Sequence, residues 1–277
     1  MRETIRKLLQ DGTNRLNASG INEAGSDCRI LMAHALNISK KDLVMIDQMK
    51  TPSTDTISNF FSLIELREKS KPISQIIGYR SFWGRNFFIN NNVLDPRPET
   101  ETLIKQALNK DFFTVLDLGT GSGAIIISLL LETSSTVGIA TDISSLALEI
   151  ADKNISIYNL NDRITTVQSD WCGSINQKFD LVISNPPYID REKTDLYDPC
   201  LSQWEPEIAL FSGKNGVSAY LSIAKKLSSV LKKTGVAIFE IGFDQAAVVS
   251  KIFQSEGFIT SIVKDLENKD RVLEVTY

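Results

Sequence analysis

The sequence has no apolar run long enough to cross a membrane. Its longest aliphatic stretch, Ala124 to Leu131, is interrupted by Ser128 and falls well short of the roughly 20 residues a spanning helix needs. Cysteine is scarce: Cys28, Cys172 and Cys200 are far apart, show no metal-ligand spacing and form no C-x-x-C pair, which reads as reduced thiols. The sole histidine, His34, has no cysteine or carboxylate cluster near it in sequence, so no metal is expected and His34 is taken as a helix-face residue. No block of five or six like charges occurs, and 30 Lys and Arg against 34 Asp and Glu leave a net charge of −4. The usual electrostatic footprint of a duplex-binding protein is therefore missing. The opening residues, Met1 to Lys7, lack the apolar stretch of a secretion signal. A cytoplasmic protein is expected, off the membrane and holding no nucleic acid stably.

What is present suits a folded chain. Hydrophobic residues make up 42% and charged residues 23% of 277, near the globular average, so one large domain or two modest ones can be packed. Up to about Ser70 the apolar spacing is helical. Cys28, Leu31, Met32, Ala35 and Leu36 share one helix face, and Ile57, Phe60, Phe61 and Ile64 repeat the pattern. Ser39-Lys40-Lys41-Asp42 has the form of a capping box. The spacing predicts four or five short helices over residues 1–72. Between Pro72 and Pro98 the chain turns aromatic and β-forming, at Ser74–Ile77, Tyr79–Trp83 and Phe87–Ile89, with turn signals at Trp83-Gly84-Arg85-Asn86 and Asn90-Asn91-Asn92. Residues 73–96 are expected to form a β-hairpin linker.

Over residues 97–277 strands alternate with helices. Thr114–Leu118, Val137–Thr141, Ile164–Gln168, Phe179–Ser184 and Val236–Ile241 read as strands. Helices are expected around Thr100–Leu108, Ala124–Leu131, Leu146–Asn154 and Val217–Leu231. Phe258–Val263 and Arg271–Thr276 supply two late strands. The alternation predicts an α/β fold: a doubly wound, mostly parallel seven-stranded sheet with an antiparallel edge.

Two segments carry chemistry. Asp117-Leu118-Gly119-Thr120-Gly121-Ser122-Gly123 lies where the first strand of the α/β domain ends and its helix begins. Glycines there permit a tight turn and close approach of a ligand to the N–H groups of the helix start. Asp142, about 20 residues on at the next strand end, is placed to accept hydrogen bonds from a ribose. Gly119-x-Gly121-x-x-Ala124 also satisfies a dinucleotide fingerprint. Asp117 favours S-adenosyl-L-methionine, whose ammonium and sulfonium a carboxylate attracts, over a pyrophosphate, which it repels. Asp170-Trp171, after the third strand, could meet an adenine by hydrogen bond and stacking; a rim aromatic is the plainer reading of Trp171.

Asn185-Pro186-Pro187-Tyr188 follows the fourth strand. Consecutive prolines end the strand and stiffen the loop. A planar –NH₂ group delocalises its lone pair and is a poor nucleophile. The Asn185 side-chain oxygen and the Pro186 carbonyl can each accept one of its N–H bonds, aim the nitrogen at a methyl group and stabilise the positive charge it gains. Tyr188 can pack on the planar group or wall it from water. Asn-Pro is also an ordinary turn former, but here it follows a Gly-rich first loop and an acidic second strand end. Glutamine amides and the exocyclic amines of adenine or guanine present the same –NH₂, so these residues alone do not separate the two substrates. An adaptor without turnover would show degenerate motifs, and none is degenerate.

At these residues the sequence resembles the class I methyltransferases, and among them the HemK/PrmC family that methylates glutamine in peptide chain release factors. The resemblance also takes in Pro96-Arg97-Pro98-Glu99-Thr100-Glu101, Trp204-Glu205-Pro206, Gly213 to Gly216 with Tyr220, Glu240-Ile241-Gly242 with Gln245, and Asp270-Arg271. It implies S-adenosylmethionine held by Gly119, Thr120, Gly121, Ser122 and Gly123, with Asp117 beside them. Asp142 would hold the ribose, and Asp170 and Trp171 the adenine. The substrate glutamine, in a Gly-Gly-Gln motif, would lie against Asn185, Pro186, Pro187 and Tyr188. It further implies an N-terminal bundle that grips the release factor, and a monomer is expected. Ile76 stands where the family usually has Tyr, and Asp95 where an apolar residue is commoner.

Overall fold

The computed structural model describes residues 3–192 and 201–277; Met1, Arg2 and Cys200 lie outside them. The chain divides into two compact units, Met1–Gly78 and Tyr79–Tyr277.

The first unit is helical: α1 (Ile5–Ala18), α2 (Ala24–Ala35), α3 (Lys40–Met45), α4 (Thr54–Glu68) and α5 (Ile73–Ile77). Hydroxyls mark the starts. Thr4 caps α1 and Ser53 caps α4, while Ser39 and Asp42 close the expected reciprocal box on α3. Cys28, Leu31 and Met32 of α2 are buried with Phe60 and Ile64 of α4 and with Ile5, Leu8 and Leu16 of α1. Gly12 lets α1 lie close, because a Cβ there would come within 2.8 Å of Phe60. His34 is exposed on its helix, as expected.

One expectation fails here. Ser74–Ile77 is helical, not extended. Pro72 at the N-cap fixes a helix-ready start, and Gly78, at φ +81°, closes the turn from the left-handed region. Ile76 and Ile77 pack against the bundle core, so helical spacing onto an apolar surface outweighs their β-branched preference.

The second unit opens with a hairpin of β1 (Tyr79–Phe82) and β2 (Arg85–Phe88). Its two-residue turn places Trp83 (φ +49°) and Gly84 (φ +69°) both in the left-handed region, which matches the right-handed twist of the strands. Then follow a 3₁₀ turn (Pro98–Thr100), α6 (Glu101–Leu108), β3 (Thr114–Leu118), α7 (Ala124–Glu132), β4 (Val137–Asp142), α8 (Ser145–Ile157), β5 (Ile164–Gln168) and β6 (Phe179–Ser184). After the undescribed stretch come α9 (Leu201–Trp204), α10 (Glu207–Leu210), α11 (Ser218–Val230), β7 (Leu231–Glu240), α12 (Ala246–Ser255), β8 (Ile259–Lys264) and β9 (Asp270–Thr276).

Among the described residues seven strands form one sheet, ordered β5-β4-β3-β6-β7-β9-β8. The first five are mutually parallel, and β9 and β8 add antiparallel pairs. Strands β3 and β6 are buried along nearly their whole length because both faces are covered. On one face the core includes Leu103, Ile104 and Ile126; on the other Ile223, Leu227 and Phe253. Helix α12 and the first residues of β7 were not anticipated from the sequence. Among the described residues no helix is long and apolar enough to cross a membrane.

Candidate active site

Chain order and sheet order differ, with β3 and β6 neighbours at the middle of the sheet. The connections after β3 and after β6 leave the same carboxyl edge and wind to opposite faces, and such a switch point opens a crevice. A cavity of about 350 Å³ lies there, large enough for a nucleoside-sized ligand. Its lining includes Gly119, Thr120 and Ser122 after β3, Asp142 ending β4, Asp170 and Trp171 after β5, and Asn185 and Pro187 after β6. Gly121, Gly123, Pro186, Tyr188 and Asp117 are not among its lining residues.

The glycine loop is fixed from below. Thr120 donates its backbone N–H to the Thr141 carbonyl at 2.8 Å and its hydroxyl to Asp117 Oδ2 at 2.6 Å. Gly119, Gly121 and Gly123 sit at φ +68°, +55° and +78°, where side chains are strained. Gly121 faces open space, and the Trp171 ring lies 3.5 Å from where a Gly119 Cβ would stand. Asp142 closes the loop from the next strand: its Oδ2 accepts from Gly121 N–H at 3.0 Å and its Oδ1 from Ser144 N–H at 2.9 Å. Asp142 lines the cavity, and a carboxylate can accept more hydrogen bonds than these two. Trp171 takes φ +51° in a turn that Ser169 holds through the Trp171 carbonyl.

Asp117 is fully buried. Burial, with Asp142 nearby, pushes its carboxyl up to about 7 despite the Thr120 hydroxyl. Among the described residues its Oδ1 has no hydrogen-bond partner; the Ile126 N–H on α7 favours the charged form without closing a regular bond. Burial likewise raises Asp142, against N–H donors that favour its charged form. A carboxyl raised in the folded state holds its proton more tightly there than in the unfolded chain. Its contribution to stability is therefore present at low pH and lost as pH rises from about 4 to about 7. Asp117→Asn should narrow the difference in melting temperature between about pH 5 and about pH 8; an unchanged difference would contradict the assignment.

The corner after β6 is braced on three sides. Ser184 donates to the Leu118 carbonyl at 2.6 Å, joining the end of β6 to that of β3. Asn185 Nδ2 donates to Thr100 Oγ1 at 3.1 Å, and Thr100 donates onward to Glu240 Oε2 at 2.7 Å. Tyr188 Oη donates to Glu240 Oε1 at 3.4 Å. Gln245 Nε2 donates to the Tyr188 carbonyl at 3.0 Å. Gly216 approaches so closely that a Cβ would stand 2.1 Å from the Tyr188 oxygen. Among the described residues neither Asn185 Oδ1 nor the Pro186 carbonyl accepts a hydrogen bond. Both acceptors proposed for a planar –NH₂ are thus uncommitted, and the donor end of Asn185 is occupied.

Several contributors were not assigned roles from the sequence. Thr100 and Glu240 meet Asn185, Arg97 pairs with the buried Glu205 at 2.5 Å, and Glu205 also accepts from Asp95 N–H at 3.2 Å. Asn154 on α8 bonds both Phe88 of the hairpin and the Ser122 carbonyl of the glycine loop.

The chain matches two family models: the PrmC N-terminal domain over residues 7–78 and the methyltransferase small domain over residues 92–198. It is 38% identical to the release factor glutamine methyltransferase of Cereibacter sphaeroides over 96% of this chain and 95% of that one. To the protein of the same name from Caulobacter vibrioides it is 36% identical over 98% and 95%. The bifunctional methyltransferase of Rickettsia prowazekii matches at 39% over the whole chain, which spans 58% of that longer protein. Among solved structures, a methyltransferase from Pyrococcus furiosus superposes with a TM-score of 0.54 at 16% identity, covering 79% of this chain and 98% of the other. That likeness is one of fold.

Proposed function

The chain belongs to the release factor glutamine methyltransferase family, and from that premise we propose how its residues divide the work of methylating a glutamine side-chain amide in a peptide chain release factor. It is an S-adenosylmethionine-dependent protein-glutamine N-methyltransferase. The fit to the cofactor rests on the glycine cradle at Gly119 and Gly121, the spare accepting capacity of Asp142 and the buried oxygen of Asp117 left unpartnered among the described residues. Gly119 to Gly123 would hold the cofactor's amino-acid end, with Asp117 supplying negative potential from behind Thr120. Asp142 would take the ribose hydroxyls, and Asp170 and Trp171 would meet the adenine. When bound, the cofactor supplies an electrophilic methyl group on a positively charged sulfur.

The observation that carries the assignment is the pair of uncommitted acceptors at the proline corner. Asn185 Oδ1 and the Pro186 carbonyl each take one N–H of the substrate carboxamide, so its nitrogen is held with the lone pair free. As the carbon–nitrogen bond forms the nitrogen gains positive character, and both oxygens stabilise it. The proton becomes acidic only then, so no strong base is needed beforehand. Pro186 and Pro187 keep the acceptors in place without further ordering, and Tyr188 walls the amide from water.

The helical unit has its own core, sharing no residue with the cores of the second unit. Recognition of the folded release factor is assigned to it, with a monomer acting in the cytoplasm. The net charge of −4 and the absence of a like-charge block favour a protein substrate over nucleic acid. One experiment tests both parts. The full chain and residues 79–277 are incubated with labelled cofactor and a release factor, a Gly-Gly-Gln peptide or duplex DNA, and the label is located by mass spectrometry. The full chain should mark the glutamine. The shortened chain should bind cofactor and mark the peptide but lose most activity on the folded factor. Label on DNA alone would overturn the substrate, and equal activity of both chains on the factor would overturn the role of the helical unit.

A further inference from the structure

We propose that Thr100 and Glu240 are positioning residues for methyl transfer, which together decide which end of the Asn185 carboxamide faces the substrate amide. The inference rests on the reading of Asn185 as an acceptor for that amide.

An asparagine side chain has an accepting end and a donating end of nearly the same shape. Half a turn about Cβ–Cγ would set an NH₂ against the substrate NH₂, donor facing donor, and the clamp would be lost. A hydroxyl could by itself meet either end, since it both donates and accepts. Thr100 is not free to choose. Its single proton goes to Glu240 Oε2 at 2.7 Å, and an ionised carboxylate can only accept. Thr100 Oγ1 is left with lone pairs alone, and these can face Nδ2 of Asn185, at 3.1 Å, but not Oδ1. The chain of donors runs one way, from Asn185 to Thr100 to Glu240, and its direction leaves Oδ1 for the substrate. Thr100 also lines the cavity, so the relay lies beside the reacting group.

Glu240 is buried at the end of β7 among groups from every side. Tyr188 Oη donates to its other oxygen. Tyr220 on α11 donates to its backbone carbonyl at 2.7 Å. Arg271 on β9 favours its charged form, and Glu99 on the 3₁₀ turn opposes it. Burial outweighs these and brings the carboxyl up to about 7. Once protonated, Glu240 can donate to Thr100, whose proton then turns to Asn185 and accommodates the flipped amide. Only the ionised form enforces the productive direction. Glu240→Gln removes the proton that titrates and, because its amide can offer Thr100 either an acceptor or a donor, no longer enforces that direction at any pH.

The test uses the full chain with an intact release factor at saturating cofactor. Thr100→Val should lower kcat by about 10- to 10²-fold, the scale of a misplaced reacting group, with cofactor affinity by calorimetry changed by less than about threefold. Thr100→Ser, which restores the hydroxyl, should recover most of the rate. In an Asn185→Ala background Thr100→Val should cost almost nothing more, because no amide remains to orient; a residue that only supports the fold would add its full loss. The acid limb of the kcat–pH profile near pH 7 should flatten in Glu240→Gln. The proposal is overturned if Thr100→Val turns over normally, if its loss adds fully to that of Asn185→Ala, or if the acid limb persists in Glu240→Gln. Should Asn185→Ala itself turn over normally, the amide clamp falls first and the relay with it. If Thr100→Val does not fold, Thr100→Ser and the pH profile of Glu240→Gln decide.

Discussion

Replacing Asn185 with alanine is expected to reduce methyl transfer to the release-factor glutamine by about 10²-fold or more, the scale of losing one oriented polar group that stabilises developing charge. The size follows from what the side chain is placed to do. A carboxamide nitrogen loses its delocalisation as it attacks, so the acceptor that holds its N–H matters more at the transition state than in the bound substrate. Such an interaction appears in kcat more than in KM. Asn185 is half-buried and among the described residues bonds to a single side chain, Thr100, so the variant should stay folded and its cofactor affinity should change far less than its turnover. Asn185→Asp keeps an oxygen for the substrate but places a charge where Nδ2 faced Thr100, and it should fall between alanine and the wild type. Single-turnover rates, calorimetry with cofactor and a melting curve separate the three effects. Turnover near normal in a folded Asn185→Ala protein would remove the clamp from the account.

That corner also shows how far a sequence can be read. Asn185 to Tyr188 were legible because proline stiffness and amide chemistry are local properties, and the strand before them ends where its apolar run ends. Phe179–Ser184 has the same bounds in the sequence as in the structure, since a strand buried on both faces announces itself by composition; Ile164–Gln168 also matches, though it is a largely uncovered edge strand marked by its β-branched residues instead. Thr100 and Glu240 stood within noted motifs but had no roles, because their meeting joins residues 140 positions apart, which no local pattern encodes. The misreading of Ser74–Ile77 had the opposite cause. The signals were local, Pro72 before and Gly78 after, but the β-branched pair Ile76-Ile77 outweighed them. Helix α12 went unplaced although Val249 and Phe253 are four apart and both buried, and Ala246 and Ile252 pack on the same core beside them.

Asp142→Ala is expected to weaken cofactor binding by about 10²-fold, with kcat at saturating cofactor changed much less. Both carboxylate oxygens already accept a backbone N–H, from Gly121 and Ser144, and the carboxylate lines the cavity with accepting capacity to spare. A ribose diol offers two O–H donors, and hydrogen bonds to a charged group contribute about 1.5–3 kcal/mol each. Part of that gain is cancelled because the same oxygens are wetted when no ligand is bound, which leaves a net loss near two orders of magnitude. Alanine also frees the two N–H groups that shape the glycine loop, so a melting curve must show the unit still folded. Asp142→Asn keeps one accepting oxygen and should bind with intermediate affinity. The carboxyl is raised by burial, and the two ribose donors favour its charged form. Affinity should therefore strengthen as pH rises through the range where free Asp142 ionises, and this dependence should shrink in Asp142→Asn to the part that Asp117 carries. Calorimetry giving the same affinity for Asp142→Ala as for the wild type would move the ribose elsewhere in the cavity, and with it the orientation of everything the glycine loop is said to hold.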